Sequence, residues 1–194
     1  TPRAAGTGLG GGSLTDSIVI DMCAHMTKIG EVTQKKGEFH VVTEPGAMWR
    51  DLEKKLKKHK AYIPSFPASK DICSIGGSVG NNAAGPDSLR YGHTADWVAS
   101  MDVVLHDGKT YTFKPLSYKE FKALIKRKDA YATILKEVFA LLEKNAGTIS
   151  KAEPKTAKNS AGYALWDCLS HTAAEFKKGT GTLNLIPLIA GSQG

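Results

Sequence analysis

Five of the seven residues from Gly6 to Gly12 are glycine, within Thr1-Pro-Arg-Ala-Ala-Gly-Thr-Gly-Leu-Gly-Gly-Gly-Ser-Leu14. A packed helix or strand does not select such a run, because each glycine loses backbone entropy on ordering and buries no side chain. Glycine does reach positive φ and lets a ligand lie directly on the backbone. Successive exposed N–H groups then form a nest for phosphate oxygens. Each hydrogen bond to a charged oxygen contributes about 1.5–3 kcal/mol.

The spacing Gly6-x-Gly8-x-x-Gly11 also fits the dinucleotide fingerprint of βαβ nucleotide folds, which requires a helix to open directly after the glycines. Here Ser17-Ile-Val-Ile-Asp-Met22 follows. This β-branched run reads as a strand buried on one or both faces. A glycine loop leading into a strand is a different phosphate cradle. The plain alternative is a flexible linker, against which stand Arg3, Thr7 and Leu9.

The chain has 194 residues, enough for one domain or two small ones, with 41% hydrophobic and 23% charged residues, ordinary for a globular fold. No apolar run approaches the roughly 18 residues of a membrane span. The net charge is +7, but its lysines alternate with acids over Arg50–Lys60 and Lys114–Lys144. That pattern reads as solvated helix faces, not a nucleic-acid stripe. Three scattered cysteines and six scattered histidines have neither disulfide nor metal-ligand spacing. No metal and no nucleic-acid partner is expected. The location expected is cytoplasmic, with a mild attraction to anionic surfaces left open.

Strands are predicted at Ser17–Met22, around Ile29–Thr33 and at Glu38–Glu44, with a turn at Gln34–Gly37. Trp49, Leu52 and Leu56 make Met48–Tyr62 an amphipathic helix. Asp102–His106 and Lys109–Phe113 flank Asp107-Gly108, a pair favoured in type I′ hairpin turns. Ser117 with Glu120 forms a capping box. A helix over Tyr131–Asn145 carries an apolar stripe of Tyr131, Ile134, Leu135, Val138, Leu141 and Leu142, with Gly147 as its C-cap. Lys155–Gly162 and Phe176–Thr182 read as loops and Tyr163–Leu169 as a short helix. Pro187 demotes Leu183–Ile189 as a central strand.

A second small-residue patch is Ser74-Ile-Gly-Gly-Ser-Val-Gly-Asn-Asn-Ala-Ala-Gly85. It lets a flat ring approach the backbone, and its asparagines add donors and acceptors. An ordinary small-residue loop is the alternative.

Taken in order, these motifs resemble the FAD-linked oxidases, the vanillyl-alcohol-oxidase-like flavoproteins with a PCMH-type FAD-binding domain, in their D-lactate and glycolate dehydrogenase branch. Arg3–Ser13 is similar to their Arg-Gly-Ala-Gly-Thr-Gly-Leu-Thr-Gly-Gly pyrophosphate loop. Thr43-Glu-Pro-Gly46, then Pro67 and Ser69, Ser74–Gly77, Asn82–Gly85 and Arg90-Tyr-Gly92 follow the second FAD segment. Lys158–Tyr163 and Gly191–Gly194 resemble later motifs. The resemblance spans the chain. It departs at Ala4, Gly10, Ala84 and Gln193; the methyl of Ala4 stands where the family's loop approaches phosphate closely and is expected to weaken binding.

The resemblance implies an α+β FAD-binding domain with a mixed or antiparallel sheet flanked by helices. The N-terminal βαβ unit and the substrate cap domain are expected to lie outside this chain, a partial piece of a longer protein. It implies that Arg3, Ala4, Ala5, Gly6, Thr7, Gly8, Leu9, Gly12 and Ser13 hold the pyrophosphate. Pro67, Ser74, Ile75, Gly76, Gly77, Val79, Asn82, Ala83 and Gly85 would run along the isoalloxazine and ribityl parts. Some relatives attach flavin through a His where this chain has Thr7, so FAD is expected to be non-covalent. Residues 1–113 would be the core with both loops, 114–147 a helical insertion and 148–194 a loop-rich return to the sheet.

The implied reaction is hydride transfer from a D-2-hydroxy acid, lactate- or glycolate-like, to FAD. The electron acceptor is unassigned. The fragment alone is expected to be inactive, with the substrate held by the cap domain. No catalytic acid or base is assigned. His93 and Tyr91 lie beside the second patch, where a structural role is the preferred reading. Two rival readings stand: a FAD domain like that of UDP-N-acetylenolpyruvoylglucosamine reductase, and a non-catalytic domain that binds no flavin.

Overall fold

The computed structural model describes residues 1–156, 159 and 162–193. They form two compact units, Thr1–Trp97 with Ile189–Gly194, and Val98–Leu188. The α+β class holds, and among the described residues the strands pair as three separate two-stranded ladders. The predicted Lys155–Gly162 loop and the Lys158–Tyr163 motif fall partly outside the described residues, as does the last residue of the Gly191–Gly194 motif.

In the first unit β1 (Pro2–Arg3) pairs in parallel with β2 (Ile20–Asp21). The buried six-residue strand expected at Ser17–Met22 is not formed. Ile18 and Ile20 are exposed. Pro2 has no N–H to extend the ladder. Asp21, itself still extended, ends the strand by capping α1 (Met22–His25), its carboxylate accepting from the Cys23 N–H at 2.9 Å.

A hairpin follows, β3 (Thr33–Lys35) with β4 (Glu38–His40). Lys36 and Gly37 both have positive φ, 51° and 87°, the mark of a type I′ turn. The strands expected at Ile29–Thr33 and Glu38–Glu44 therefore shift and shorten, leaving one bridge between Ile29 and Thr43. Helix α2 (Trp49–Lys57) buries Trp49, Leu52 and Leu56, as its periodicity requires.

The second small-residue patch is not a plain loop. Ser74 caps α3 (Ile75–Gly80), its hydroxyl accepting from the Gly77 N–H. Glycine is a poor helix former, so the turn is set by packing. A Cβ on Gly76 would lie 2.4 Å from the Pro45 Cβ, and the Gly76 N–H donates to the Pro45 carbonyl at 2.8 Å. Helix α4 (Ser88–Tyr91) and a 3₁₀ turn at Thr94–Trp97 complete this unit's middle.

The second unit opens with the hairpin β5 (Met101–Val104) and β6 (Thr110–Phe113). Its turn is not type I′. Only Gly108, not Asp107, has positive φ, and the Gly108 N–H donates to the Leu105 carbonyl at 2.9 Å. The longer loop suits a left-handed glycine after the turn. The capping box of Ser117 and Glu120 starts α5 (Tyr118–Leu124) as expected.

Helix α6 (Ala130–Lys144) buries Tyr131, Ala132, Leu135, Phe139 and Leu142. Leu141 is exposed and Phe139 takes its expected place, because the helix rotates its aromatic residue toward Phe121 and Phe176. Asn145, not Gly147, is the cap, with its side chain bonded to the Leu141 carbonyl at 2.9 Å. Gly147 lies inside α7 (Ala146–Ala152).

Residues Leu165–Asp167 form a 3₁₀ turn. The predicted Phe176–Thr182 loop begins inside α8 (Ala173–Lys177), which a second capping box, Thr172 with Glu175, starts. Leu183 bridges both Leu116 and Leu169. Pro187 then sits in α9 (Ile186–Ile189), where a missing N–H in the first turn costs nothing.

Candidate functional site

The glycine ribbon of the first unit has an uncommon hydrogen-bond account. From Gly6 to Ser13 no backbone N–H donates to any described residue; the loop's one internal bond runs from the Leu14 N–H to the Gly11 carbonyl at 2.9 Å. Gly6 and Gly11 have φ of 68° and 78°, the left-handed conformation that turns neighbouring N–H groups to a common side. A Cβ placed on Gly8, Gly10 or Gly11 would meet no atom within 4 Å. Leu9 is fully exposed. The loop closes on itself where a Gly6 Cβ would come within 3.7 Å of Ser13.

One side of the ribbon rests on the second patch. The Ala4 methyl stands 3.1 Å from where a Gly77 Cβ would be, so it faces α3. A Gly12 Cβ would come within 3.8 Å of the Gln193 carbonyl. Gly191 and Gln193 donate to the Val79 and Gly80 carbonyls at 3.0 and 2.8 Å. The fold thus gathers Ala4, Gly12, Gly77, Val79 and the 191–193 segment, which are far apart in sequence. Arg3 is held by Asp21 at 3.5 Å, an exposed pair that contributes little to stability. Ala5 and Thr7 are half-buried.

The second patch is internally bonded where the ribbon is not. The N–H groups of Ile75, Gly76 and Gly77 donate to Ala47, Pro45 and Ser74. Asn82, with φ 42°, accepts from the Ala95 N–H at 2.9 Å. The Ala83 carbonyl takes both the N–H and the hydroxyl of Thr94. A Gly85 Cβ would lie 1.8 Å from the Phe66 carbonyl oxygen. Gly76 and Gly85 therefore answer to protein packing, whereas Gly8 faces open space. Pro67 is buried beside this contact, and its carbonyl accepts from the Lys70 N–H.

Sequence reasoning missed Thr94 and Asp96, which hold this patch. Asp96 accepts from the His93 N–H at 2.7 Å, and its carboxylate occupies the space a Gly92 Cβ would need. The available signal was Gly92 followed four residues later by an acid. The His93 Nε2 is buried without a hydrogen-bond partner among the described residues. The Tyr91 carbonyl accepts from the Trp97 indole at 3.0 Å. No cluster of metal-ligating side chains occurs among the described residues, and none of their helices is long and apolar enough to cross a membrane.

Residues 1–114 match the family model described as FAD binding domain. The chain belongs to that family. FAD is the family's cofactor, and the match covers both glycine segments. Over 194 residues the chain is 28% identical to the D-2-hydroxyglutarate dehydrogenase of Escherichia coli K12, covering 100% of this chain and 18% of that protein. It is 34% identical over 110 residues to the D-lactate dehydrogenase of Anaerostipes hadrus (56% and 22% covered). It is 32% identical over 108 residues to the glycolate oxidase subunit GlcD of Bacillus subtilis (55% and 23% covered). The chain thus spans about a fifth of the length of these relatives.

Proposed function

We propose that this chain is the FAD-binding portion of a flavin-dependent oxidoreductase that oxidises a D-2-hydroxy acid. The observation that carries the reading is the run of N–H groups from Gly6 to Ser13 without an acceptor among the described residues, around glycines that face open space, inside the family match. Such donors fit the two phosphates of FAD without a lysine. Support for the substrate class comes from relatives named for D-2-hydroxyglutarate, D-lactate and glycolate.

In this reading Arg3–Leu9, Gly12 and Ser13 hold the pyrophosphate through backbone amides. Pro67, Ser74–Gly77, Val79, Asn82, Ala83 and Gly85 form the second wall, whose bonds to 94–95 keep it rigid. Ala4 turns its methyl toward Gly77. Attachment is non-covalent, since no His, Cys or Tyr lies in Thr1–Leu14. FAD supplies the hydride-accepting chemistry, and the protein supplies binding and orientation. Residues 114–147 are a helical insertion into this domain.

The test is spectroscopic. The purified full-length protein should show visible flavin absorption, and acid precipitation should release the flavin to the supernatant. Anaerobic D-2-hydroxyglutarate, D-lactate or glycolate should bleach it, whereas L-2-hydroxyglutarate and L-lactate should not. A colourless protein that takes up no added FAD overturns the reading. A flavoprotein that none of these acids bleaches overturns the substrate class alone.

A further inference from the structure

The second unit carries an open groove of about 470 Å³ lined by Tyr118, Lys119, Lys122, Lys126, Lys177 and Lys178. Lys119, Lys122 and Lys126 follow one another at i, i+3 and i+7, which puts them on one face of α5 and the turn after it. Lys177 and Lys178 enter from the end of α8, where Gly179 at φ 94° reverses the chain. The floor is aromatic and fixed. Tyr118 packs edge-on against Phe176 at 5.3 Å and beside Phe121 at 6.2 Å.

These cations lack the neutralisation seen elsewhere in the molecule. On α2, Lys54, Lys55 and Lys57 pair with Asp51, Glu31 and Glu53. In the groove only Lys177 is paired, with Glu143. Lys119, Lys122, Lys126 and Lys178 have no carboxylate within 4.0 Å among the described residues. The nearby acids are held otherwise: Glu120 by Lys114 and Ser117, Glu175 by Thr172. The unit's sequence has fourteen Lys and Arg against nine Asp and Glu, a net of +5 out of the chain's +7. The fold concentrates positive charge that the sequence presents as dispersed.

We propose that this groove docks an acidic segment of a partner protein. The three α5-side cations spread over about 10 Å at 1.5 Å of rise per residue, too far apart for one phosphate and suited to carboxylates along a peptide. They are lysines, separate point charges without the planar fork that grips phosphate in two places. The Tyr118 ring is held by Phe176 and Phe121 and carries Lys122 at 5.7 Å from its centre, so it offers no free face for stacking a base.

The experiment uses the full-length protein and a fluorescein-labelled Asp/Glu-rich peptide of about 15 residues. Binding should weaken steeply as salt rises past about 0.15 M, where the screening length falls below about 8 Å. The triple variant Lys119→Glu, Lys122→Glu, Lys126→Glu should lose at least about tenfold in affinity, since these exposed positions set charge complementarity. The same charge change on α2, as Lys54→Glu, Lys57→Glu, Lys58→Glu, should leave binding within about twofold. Equal loss in both variants means net charge alone acts and overturns the proposal. So does a peptide that fails to bind. Tighter retention of single-stranded RNA or phosphatidylglycerol vesicles through the same three lysines overturns the choice of partner.

Discussion

Replacing Gly8 by alanine separates the needs of the fold from those of the cofactor. In the chain without FAD, the added methyl meets no atom within 4 Å, and the φ of Gly8 lies outside the left-handed region. The substitution therefore brings no clash and no backbone strain. It also removes conformations from the unfolded chain, which raises stability by about 0.4–1 kcal/mol. With FAD bound as proposed, the same methyl would intrude on the face where phosphate oxygens approach the N–H groups. Loss of one such bond costs about 1.5–3 kcal/mol, a roughly 10- to 100-fold weaker affinity at about 1.4 kcal/mol per tenfold. The paired measurement is a thermal melt without FAD and a titration with it, read by flavin fluorescence. Gly85→Ala is the contrasting variant. Its Cβ would lie 1.8 Å from the Phe66 carbonyl oxygen, so the backbone must move, at about 1–3 kcal/mol. At about 2–4 °C per kcal/mol for a chain of this size, its melt falls even without ligand. Parental FAD affinity in Gly8→Ala, or a lowered melting temperature of that variant without FAD, would refute the placement of the cofactor on the open face.

Two further outcomes concern the second unit. Phe176 is fully buried among Tyr118, Phe121 and Phe139, so Phe176→Ala should lower stability by about 3–5 kcal/mol, read from urea midpoints. The Lys114 ammonium, then the N–H and hydroxyl of Ser117, hold the Glu120 carboxyl down at about 2, against an ordinary 4.5. A depressed folded value stabilises the protein fully above the unfolded one, and the gain is lost as pH falls from 4.5 toward 2. The urea midpoint of the parent should exceed that of Glu120→Gln at pH 7 and converge on it near pH 2; a gap that persists there would refute the assignment.

Local chemistry written into short stretches is legible in the amino-acid sequence alone. The Ser117–Glu120 capping box and the Trp49, Leu52, Leu56 stripe form as expected, the first because its partners lie three residues apart and the second because helical periodicity alone puts its residues on one face. The ordered motifs from Arg3 to Arg90 likewise led to the FAD-binding family without knowledge of their arrangement. The α+β class followed from the same evidence.

The fate of the glycine patches depended on what lies across from them. Gly76 is helical because Pro45 presses against it, and Gly8 stays open because nothing does; the residue type is the same and only the neighbour differs. Asp107-Gly108 took another turn because the strands flanking it leave a longer loop. Phe139 displaced Leu141 from the core because two distant phenylalanines wait on its side of the helix. The lysines of α2 and of the groove read alike along the chain, but carboxylates pair Lys54, Lys55 and Lys57 of the first group and, among the described residues, Lys177 alone of the second. Contacts between distant residues are long-range terms, absent from any local window, and in this chain they decide which backbone amides stay unpaired and which positive charges stay uncovered.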